Sequence, residues 1–546
     1  MGYGYWNRFL EVDLTAGTWK EVPFDDDFAR KYVGGIGFGT RILFDRAPLH
    51  VDAYDPENLL MLMYGPFNGT FFPGQKGYWT FKSPLTGNHG IGRCCAGGAF
   101  QVEVKRAGWD GIIFTGKAPN LVYLYIDDDM VEIRDAGFLK DKDSQATAMM
   151  LQDHLKEPLF RVACIGPAGE HLVRFASIMT DTHRAAARTG GGGVAGSKNL
   201  KAIAVHGTKV VPVADPAAYH ETLKNMRYAC TTAQGFWPFQ TGFRRFHTSS
   251  HAGNNHPLRN YTQSGDVLQA YTISSMRQER RFYVDYNACG SFCDGACFSH
   301  GVVRYGPFTG IQGENSEWDT SPTILGTGLT DVGGAMAAVS KLDKLGLDGS
   351  SAGHTMAWAI ECFQEGLLDT NDTGGLELDW DKPELVNQLL VMIAFREGFG
   401  DVLAEGSMRA ATYLEEQKGL EPGTLLKYAC QGKGLENAAV DPRPNTAGGF
   451  GAVGQATSNR GAGNHITDAF AWDDMMGNCF FTSFRGASPD MMIEAVKHLT
   501  GWDYSNEAKQ TDYERGVTFQ RAFWVREAWP TLPSEVDYCA PKMYTL

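Results

Sequence analysis

Apolar and polar positions change rhythm once, near the middle of the chain. Over residues 1 to about 210 the apolar runs are short and of strand type. Leu10-Glu11-Val12-Asp13-Leu14 and Val102-Glu103-Val104 alternate with period two, Ile112-Ile113-Phe114 is wholly apolar, and Leu121 to Ile126 is rich in strand-forming residues. Glycine and proline punctuate these runs. After a linker-like stretch, Val210-Val211-Pro212-Val213-Ala214-Asp215-Pro216, longer amphipathic runs set in from Ala217, with helical patterns at 328–345, around Met492–Thr500 and over Tyr513–Ala528. The pattern predicts an α+β protein in three parts: a β-rich domain over 1–210, a mainly α-helical domain over 211–415 and a second helical domain over 416–546.

Glycine-rich stretches add detail. Gly34-Gly35-Ile36-Gly37-Phe38-Gly39 opens a predicted helix, but no strand-helix-strand unit frames it as a dinucleotide fingerprint. Gly190 to Gly193 followed by Lys198 and Lys201 suits an anion, because successive backbone N–H groups can converge there. The loop 446–454 reads as one that a ligand has to pin.

A net charge of −14 opposes nucleic acid, whose phosphates it would repel. The sequence has no apolar run long enough to cross a bilayer, so no integral membrane segment is expected. Its first residues lack the charged lead and apolar core of an export signal. With eleven cysteines, that favours a reducing cytoplasmic location.

The candidate chemistry begins with Cys289, Cys293 and Cys297, spaced by four with small residues between them. Thiolates from one tight loop are a common way to hold an iron–sulfur cluster, and the fourth ligand often comes from far along the chain. Cys479 is the leading fourth ligand, with Cys430 and Cys362 behind it. Zinc would favour paired two-residue spacings, which are missing here. An acidic run, Glu314 to Asp319, precedes a helical pattern and reads in its simplest form as a cap. The polar loop 246–260 carries His247, His251 and His256 without carboxylates at metal spacing. Finally, Asp343-Lys-Leu-Gly346-Leu347-Asp348 and Asp474-Met-Met-Gly477-Asn-Cys479 repeat one pattern, as though a two-part ligand were gripped twice.

With Ser83–Gly87, Ile165–Glu170, the block at 196–203 and Ala456–Ala462, these motifs resemble, from about Val33 to Leu532, the aldehyde ferredoxin oxidoreductase family. That resemblance implies a β-rich base carrying a tungsten (or molybdenum) bis-pterin cofactor, a 4Fe-4S cluster and a magnesium ion bridging the pterin phosphates. It gives Asp343, Gly346, Leu347 and Asp348 to one pterin, Asp474 and Gly477 to the other, Lys76 to the pterin phosphates, and Cys289, Cys293, Cys297 and Cys479 to the cluster. Glu317 becomes the base and His465 the hydrogen-bond donor to a carbonyl oxygen. Where some members share a subunit-bridging metal through a glutamate, this chain has Ala337.

The implied reaction oxidises an aldehyde to the carboxylate and passes electrons to ferredoxin or a small iron–sulfur subunit, in a homo- or hetero-oligomer. The alternative is the catalytic subunit of a tungsten-type benzoyl-CoA reductase, with an aromatic acyl-CoA substrate and His251 and His256 as proton donors. A non-catalytic electron-transfer scaffold is opposed by the intact pterin motifs.

Overall fold

The period-two pattern of the N-terminal part becomes two six-stranded sheets. In the computed structural model, the first sheet runs Thr18–Pro23, Arg8–Asp13, Gly111–Thr115, Leu60–Met63, Gly77–Lys82, Ile91–Ala96. The second runs Arg184–Ala186, Ile178–Thr180, Arg161–Ile165, Leu200–His206, Val122–Asp127, Met130–Asp135. The structure describes residues 2–87, 90–232, 256–265, 270, 273–295, 298–314, 320–438, 450–462, 470–484, 486–531, 537–538 and 541–544.

Successive residues of a strand face opposite sides, and both sides are used. Leu10, Val12, Ile112 and Phe114 enter a core shared with Leu124, Ile126, Ile203 and Val205 of the second sheet. Phe9, Met61, Met63 and Ile113 pack on the other side against Phe38 and Leu43 of helix Gly35–Arg46. Covering on both faces explains why Ile112-Ile113-Phe114 is apolar throughout. Val102-Glu103-Val104 is not a strand but part of helix Phe100–Arg106. Its fit to alternation was a coincidence of three residues: Phe100, Val104 and Ala107, at helical spacing, are the ones that reach the shared core.

The second half is mainly helical. Helices Ser321–Thr327, Val332–Leu345, Gly349–Gln364, Pro383–Phe395, Phe399–Leu403 and Ser407–Lys418 contribute to one large core, together with Phe282, Val284 and Val303 of a three-stranded sheet. That core continues through Leu414 to Leu425, Ala429 and Leu435, so position 415 falls inside helix Ser407–Lys418. Helix Pro216–Thr232 packs elsewhere, placing Tyr219, Leu223 and Met226 against Met492, Val496 and Leu499 of helix Pro489–Thr500. Among the described residues, no helix is long and apolar enough to cross a membrane.

Two local expectations change. Glu314 lies in strand Gln312–Glu314 rather than in a helix cap, and Thr320, the N-cap of helix Ser321–Thr327, makes no side-chain cap bond. The stretch 446–454 overlaps helix Phe450–Thr457, while 446–449 lie outside the described residues.

Candidate functional site

The two sheets bring edge strands Ile91–Ala96 and Arg184–Ala186 together, and beside them end helices Val332–Leu345 and Ala471–Met476. Between these elements opens a cavity of about 220 Å³. Among the described residues its wall carries five cationic side chains, Lys76, Arg93, Arg184, Arg188 and Arg460, and three carboxyl groups, Glu314, Asp343 and Asp474.

The two Asp-x-x-Gly sequences are matching helix ends. Asp343 lies in the last turn of Val332–Leu345 and Asp474 near the end of Ala471–Met476, and each helix stops at a left-handed glycine, Gly346 at φ 73° and Gly477 at φ 84°. Both aspartates line the cavity, Asp474 with its Oδ2 3.8 Å from Arg93 Nη1. Leu347 also lines it. Asp348 turns away: its carboxylate caps helix Gly349–Gln364, accepting from Ser350 N at 3.1 Å and from Ser351 Oγ at 2.7 Å.

A Cβ on Gly477 would stand 1.8 Å from Asn68 Oδ1. Asn68 needs that space, because its Nδ2 donates to the carbonyls of Lys76 at 3.0 Å and Gly477 at 3.2 Å. This bond pair ties the second aspartate turn to the loop carrying Lys76. The glycines at 34–35 have a packing role here. A Cβ on Gly35 would meet the Asp474 carbonyl at 2.0 Å, so they admit close approach of helix Ala471–Met476 and form no dinucleotide loop.

Three of the four expected cluster thiols lie among the described residues and gather around residues 74–76 and 97–98. Cys479 N donates to Gly74 O at 2.8 Å, Gly74 N to Ser291 O at 3.3 Å, and Gly98 N to Cys289 O at 2.8 Å. A Cβ on Gly74 would lie 3.3 Å from Cys479 Cβ and 3.9 Å from Cys293 Sγ. Lys76 Nζ is 3.9 Å from Cys289 Sγ, and Cys289 and Cys479 both line the cavity. Cys297 lies outside the described residues. Among those described, no set of three His, Cys, Asp or Glu side chains is drawn to metal-ligating distance. Cys362 and Cys430 are buried elsewhere, Cys362 in the large helical core and Cys430 beside the Tyr428 carbonyl.

Burial shapes the protonation of the cavity wall. It pushes the Glu314 carboxyl up to about 8, with Asp343 adding in the same direction and Arg184, 2.5 Å away, opposing. Burial, then the neighbouring Arg184 and His300, push His183 down to about 4.

Glu317 and His465 lie outside the described residues. Glu314 and Thr320, on either side of the first segment, and Phe470, directly after the second, line the cavity, as does Arg460. His251 is also outside, and of His256 only the backbone, in strand His256–Leu258, is described. The anion reading of 190–202 is overturned. Gly191–Ser197 is a buried helix, Lys198 Nζ donates to Pro56 O at 3.0 Å and Gly116 O at 3.1 Å, and Lys201 Nζ meets Glu170 Oε1 at 2.5 Å. These lysines neutralise the protein's own acceptors. Arg93, Arg184, Arg188, His183 and Cys95 were missed and Glu314 was read only as part of an acidic cap, because these residues come from separate elements far apart in the sequence.

Residues 9–207 match the family described as "Aldehyde ferredoxin oxidoreductase, N-terminal domain", and residues 238–468 and 464–544 match "Aldehyde ferredoxin oxidoreductase, domains 2 & 3". The chain is 36% identical to the tungsten-containing aldehyde ferredoxin oxidoreductase of Pyrococcus horikoshii, over 95% of this chain and 89% of that protein. It is 32% identical to the aliphatic sulfonate oxidoreductase, WOR-like subunit, of Pyrococcus furiosus, over 79% of this chain and 70% of the other. Among solved structures it is similar to a chain of the active-site complex BamBC of benzoyl coenzyme A reductase, solved with 1,5-dienoyl-CoA. That likeness has a TM-score of 0.80 at 26% identity, covering 99% of this chain and 92% of the other. Matched along nearly its whole length, with both Asp-x-x-Gly turns opening on one cavity, the chain belongs to the aldehyde ferredoxin oxidoreductase family of oxidoreductases.

Proposed function

We propose that this protein oxidises an aldehyde to the carboxylate at a tungsten bis-pterin held in the cavity, with electrons leaving through a 4Fe-4S cluster to ferredoxin or a partner subunit. The observation that carries this reading is one wall shared by Asp343, Asp474, five cationic side chains and the thiols of Cys289 and Cys479. The gathering of five cationic side chains on the described wall suits a ligand with phosphates, which arginine and lysine bind through charge-assisted hydrogen bonds. Asp343 and Asp474 would accept the pterin N–H donors as charge-assisted bonds, and Lys76, Arg93, Arg184, Arg188 and Arg460 would hold its phosphates. Cys289, Cys293, Cys297 and Cys479 would hold the cluster. When bound, the metal supplies the two-electron acceptor and the cluster a one-electron exit.

The chain's own part is binding, orientation and proton handling. Glu317 is the proposed base toward water or the hydrated substrate, and His465 the proposed donor to the carbonyl oxygen as charge builds there. Both follow from the family likeness, which Glu314, Thr320, Arg460 and Phe470, near those segments in sequence and lining the cavity, support. Lys76, within 3.9 Å of Cys289 Sγ, bridges the pterin side and the cluster side.

A second reading, reduction of an aromatic acyl-CoA, is favoured by the structural likeness to the benzoyl coenzyme A reductase complex. One experiment separates the two. Purified holoprotein containing iron and tungsten is given a low-potential acceptor with a panel of aldehydes, and separately a strong reductant with benzoyl-CoA. Acceptor reduction by aldehydes is expected. Inert aldehydes with consumption of the thioester would replace the first reading by the second.

A further inference from the structure

Protons released in the cavity need an exit distinct from the electron exit, and a group of side chains outside the family motifs is built for one. Strand Gln312–Glu314 pairs with Phe298–Val303 so that Glu314 stands directly opposite His300. Residues opposed in a ladder project from the same face of the sheet. Glu314 is 4% exposed and lines the cavity, whereas His300 is only half-buried. The His300 ring lies edge-on to that of His183, with centroids 6.4 Å apart, and His183 also lines the cavity. The Nδ1 of His183 is 3.1 Å from the Thr182 hydroxyl. A carboxyl and two imidazoles thus lead from the cavity wall toward the surface.

We propose that Glu314, with His300 and His183, carries protons between the cavity and solvent. Glu314 hands a proton to the neutral imidazole of His300, the imidazolium releases it to water, and the carboxylate is refilled from the cavity. In the first transfer a carboxyl O–H bond breaks as an imidazole N–H bond forms, and in the second that N–H bond breaks as an O–H bond forms on water. In the third the carboxyl O–H bond re-forms as the cavity donor loses its proton; no electrons move. Glu314 is a positioning and relay group here and need not touch the substrate. The outward direction rests on the oxidation proposed above.

The surroundings suit the task. Among the described residues, the charged groups facing Glu314 are Arg184 from its edge strand, Asp343 from helix Val332–Leu345 and Lys76 from its loop. Burial, and then the charge of Arg184, holds both imidazoles below the usual histidine range. With Glu314 pushed up to about 8, the carboxyl keeps its proton at neutral pH while the imidazoles stay free to accept one.

The test uses the holoprotein and the Glu314→Gln and His300→Gln variants, each first checked for wild-type iron and tungsten content. Infrared titration should show a protonated-carboxyl band at neutral pH that fades around pH 8 and is missing in Glu314→Gln. Aldehyde turnover should fall about tenfold or more in both variants, imidazole should restore His300→Gln, and the alkaline limb of the pH profile should move in Glu314→Gln. A carboxyl band identical in wild type and Glu314→Gln overturns the proposal, and so does an unchanged pH profile in that variant. His300 is half-buried, so its variant keeps the kinetic test open should Glu314→Gln fold poorly. If no aldehyde is oxidised, the proposed reaction fails separately, and the infrared band alone then supports or sinks the relay.

Discussion

Arg188 Nε lies 3.6 Å from Asp348 Oδ2, joining the β-rich layer to the helix that begins just after the first Asp-x-x-Gly turn. The same guanidinium donates to Glu436 O at 2.5 Å and to Ala462 O at 3.0 Å. One buried side chain therefore ties together elements far apart in the sequence, at the wall where the pterin is proposed to lie.

Replacing Arg188 with methionine should therefore destabilise the protein before any question of activity arises. It strips a partner from a buried carboxylate and from the carbonyls of Glu436, Asn437 and Ala462, a change of about 3–5 kcal/mol for a broken buried pair. Asp348→Asn should cost less, about 1–2 kcal/mol, because asparagine can still cap the helix. Denaturant melts of the two variants check the order. Equal losses would mean that the ion pair, broken in both variants, dominates and that the carbonyl contacts, lost only in Arg188→Met, add little.

Lys82 and Glu527 make a second such tie, between the first sheet and the long helix Asn506–Ala528. Their atoms are 2.7 Å apart, with side-chain exposures of 1% and 0%. Glu527 also accepts from His50 N at 3.1 Å and pairs with Arg526 at 2.7 Å, so Lys82→Met strands it only in part. A loss of about 3 kcal/mol is expected for Lys82→Met, and Lys82→Met with Glu527→Leu should recover at least half of it. A double variant as unstable as the sum of the singles would show that the two residues are not coupled.

His354 gives a pH signature. It is buried and stacked on Tyr261 with centroids 5.6 Å apart, beside the backbone of Ala438. Burial, and then the positive charge of Arg188, push it down to about 3. The folded protein keeps the ring neutral while the unfolded chain takes a proton near pH 6.5. The native state is thus at full strength above that pH and weakens as pH falls toward 3, by about 2 kcal/mol at pH 5. Glu314 and Asp473, pushed up by burial to about 8 and about 6, work in the opposite sense, so the test is the difference between proteins. His354→Phe should flatten the stability slope between pH 6.5 and 4.5. A slope equal to that of the wild type would assign the acid sensitivity elsewhere.

What the sequence made legible follows from how local the signal is. Both Asp-x-x-Gly turns could be read because helix end, glycine and carboxylate sit within a few residues and recur. The β-rich base was readable from alternation in strands such as Arg8–Asp13, where each face has one kind of neighbour. Val102–Val104 deceived because three residues cannot distinguish period two from a helix. Lys198 and Lys201 deceived because charge beside glycines says nothing of whether the acceptors are a ligand's or the protein's own. The pairing of Arg184 with Glu314 was invisible for the converse reason. They are 130 positions apart in the sequence, and only the meeting of an edge strand with a small separate sheet sets them 2.5 Å apart.

The fourth cluster ligand is where the structure sharpens the test most. Cys362 and Cys430, the reserves suggested by sequence, are buried away from the thiol loop, whereas Cys95 lines the same cavity as Cys289 and Cys479 and becomes the relevant control. Cys95 lies on strand Ile91–Ala96, with its backbone fixed opposite Tyr78 in the sheet. Cys479 lies on a turn whose amide is bonded to Gly74 O, and a Cβ on Gly74 would also approach Cys293 Sγ. A ligand has to share its shell with the other thiols, which favours Cys479. Cys479→Ser should lose most of the iron, or convert the cluster to a form with a different spectrum, while Cys95→Ser keeps iron and spectrum as in the wild type. Iron analysis and low-temperature magnetic resonance of the two purified proteins decide it. Loss of iron in Cys95→Ser alone would move the fourth ligand onto the sheet, and the Asp474-to-Cys479 segment would then serve the pterin only.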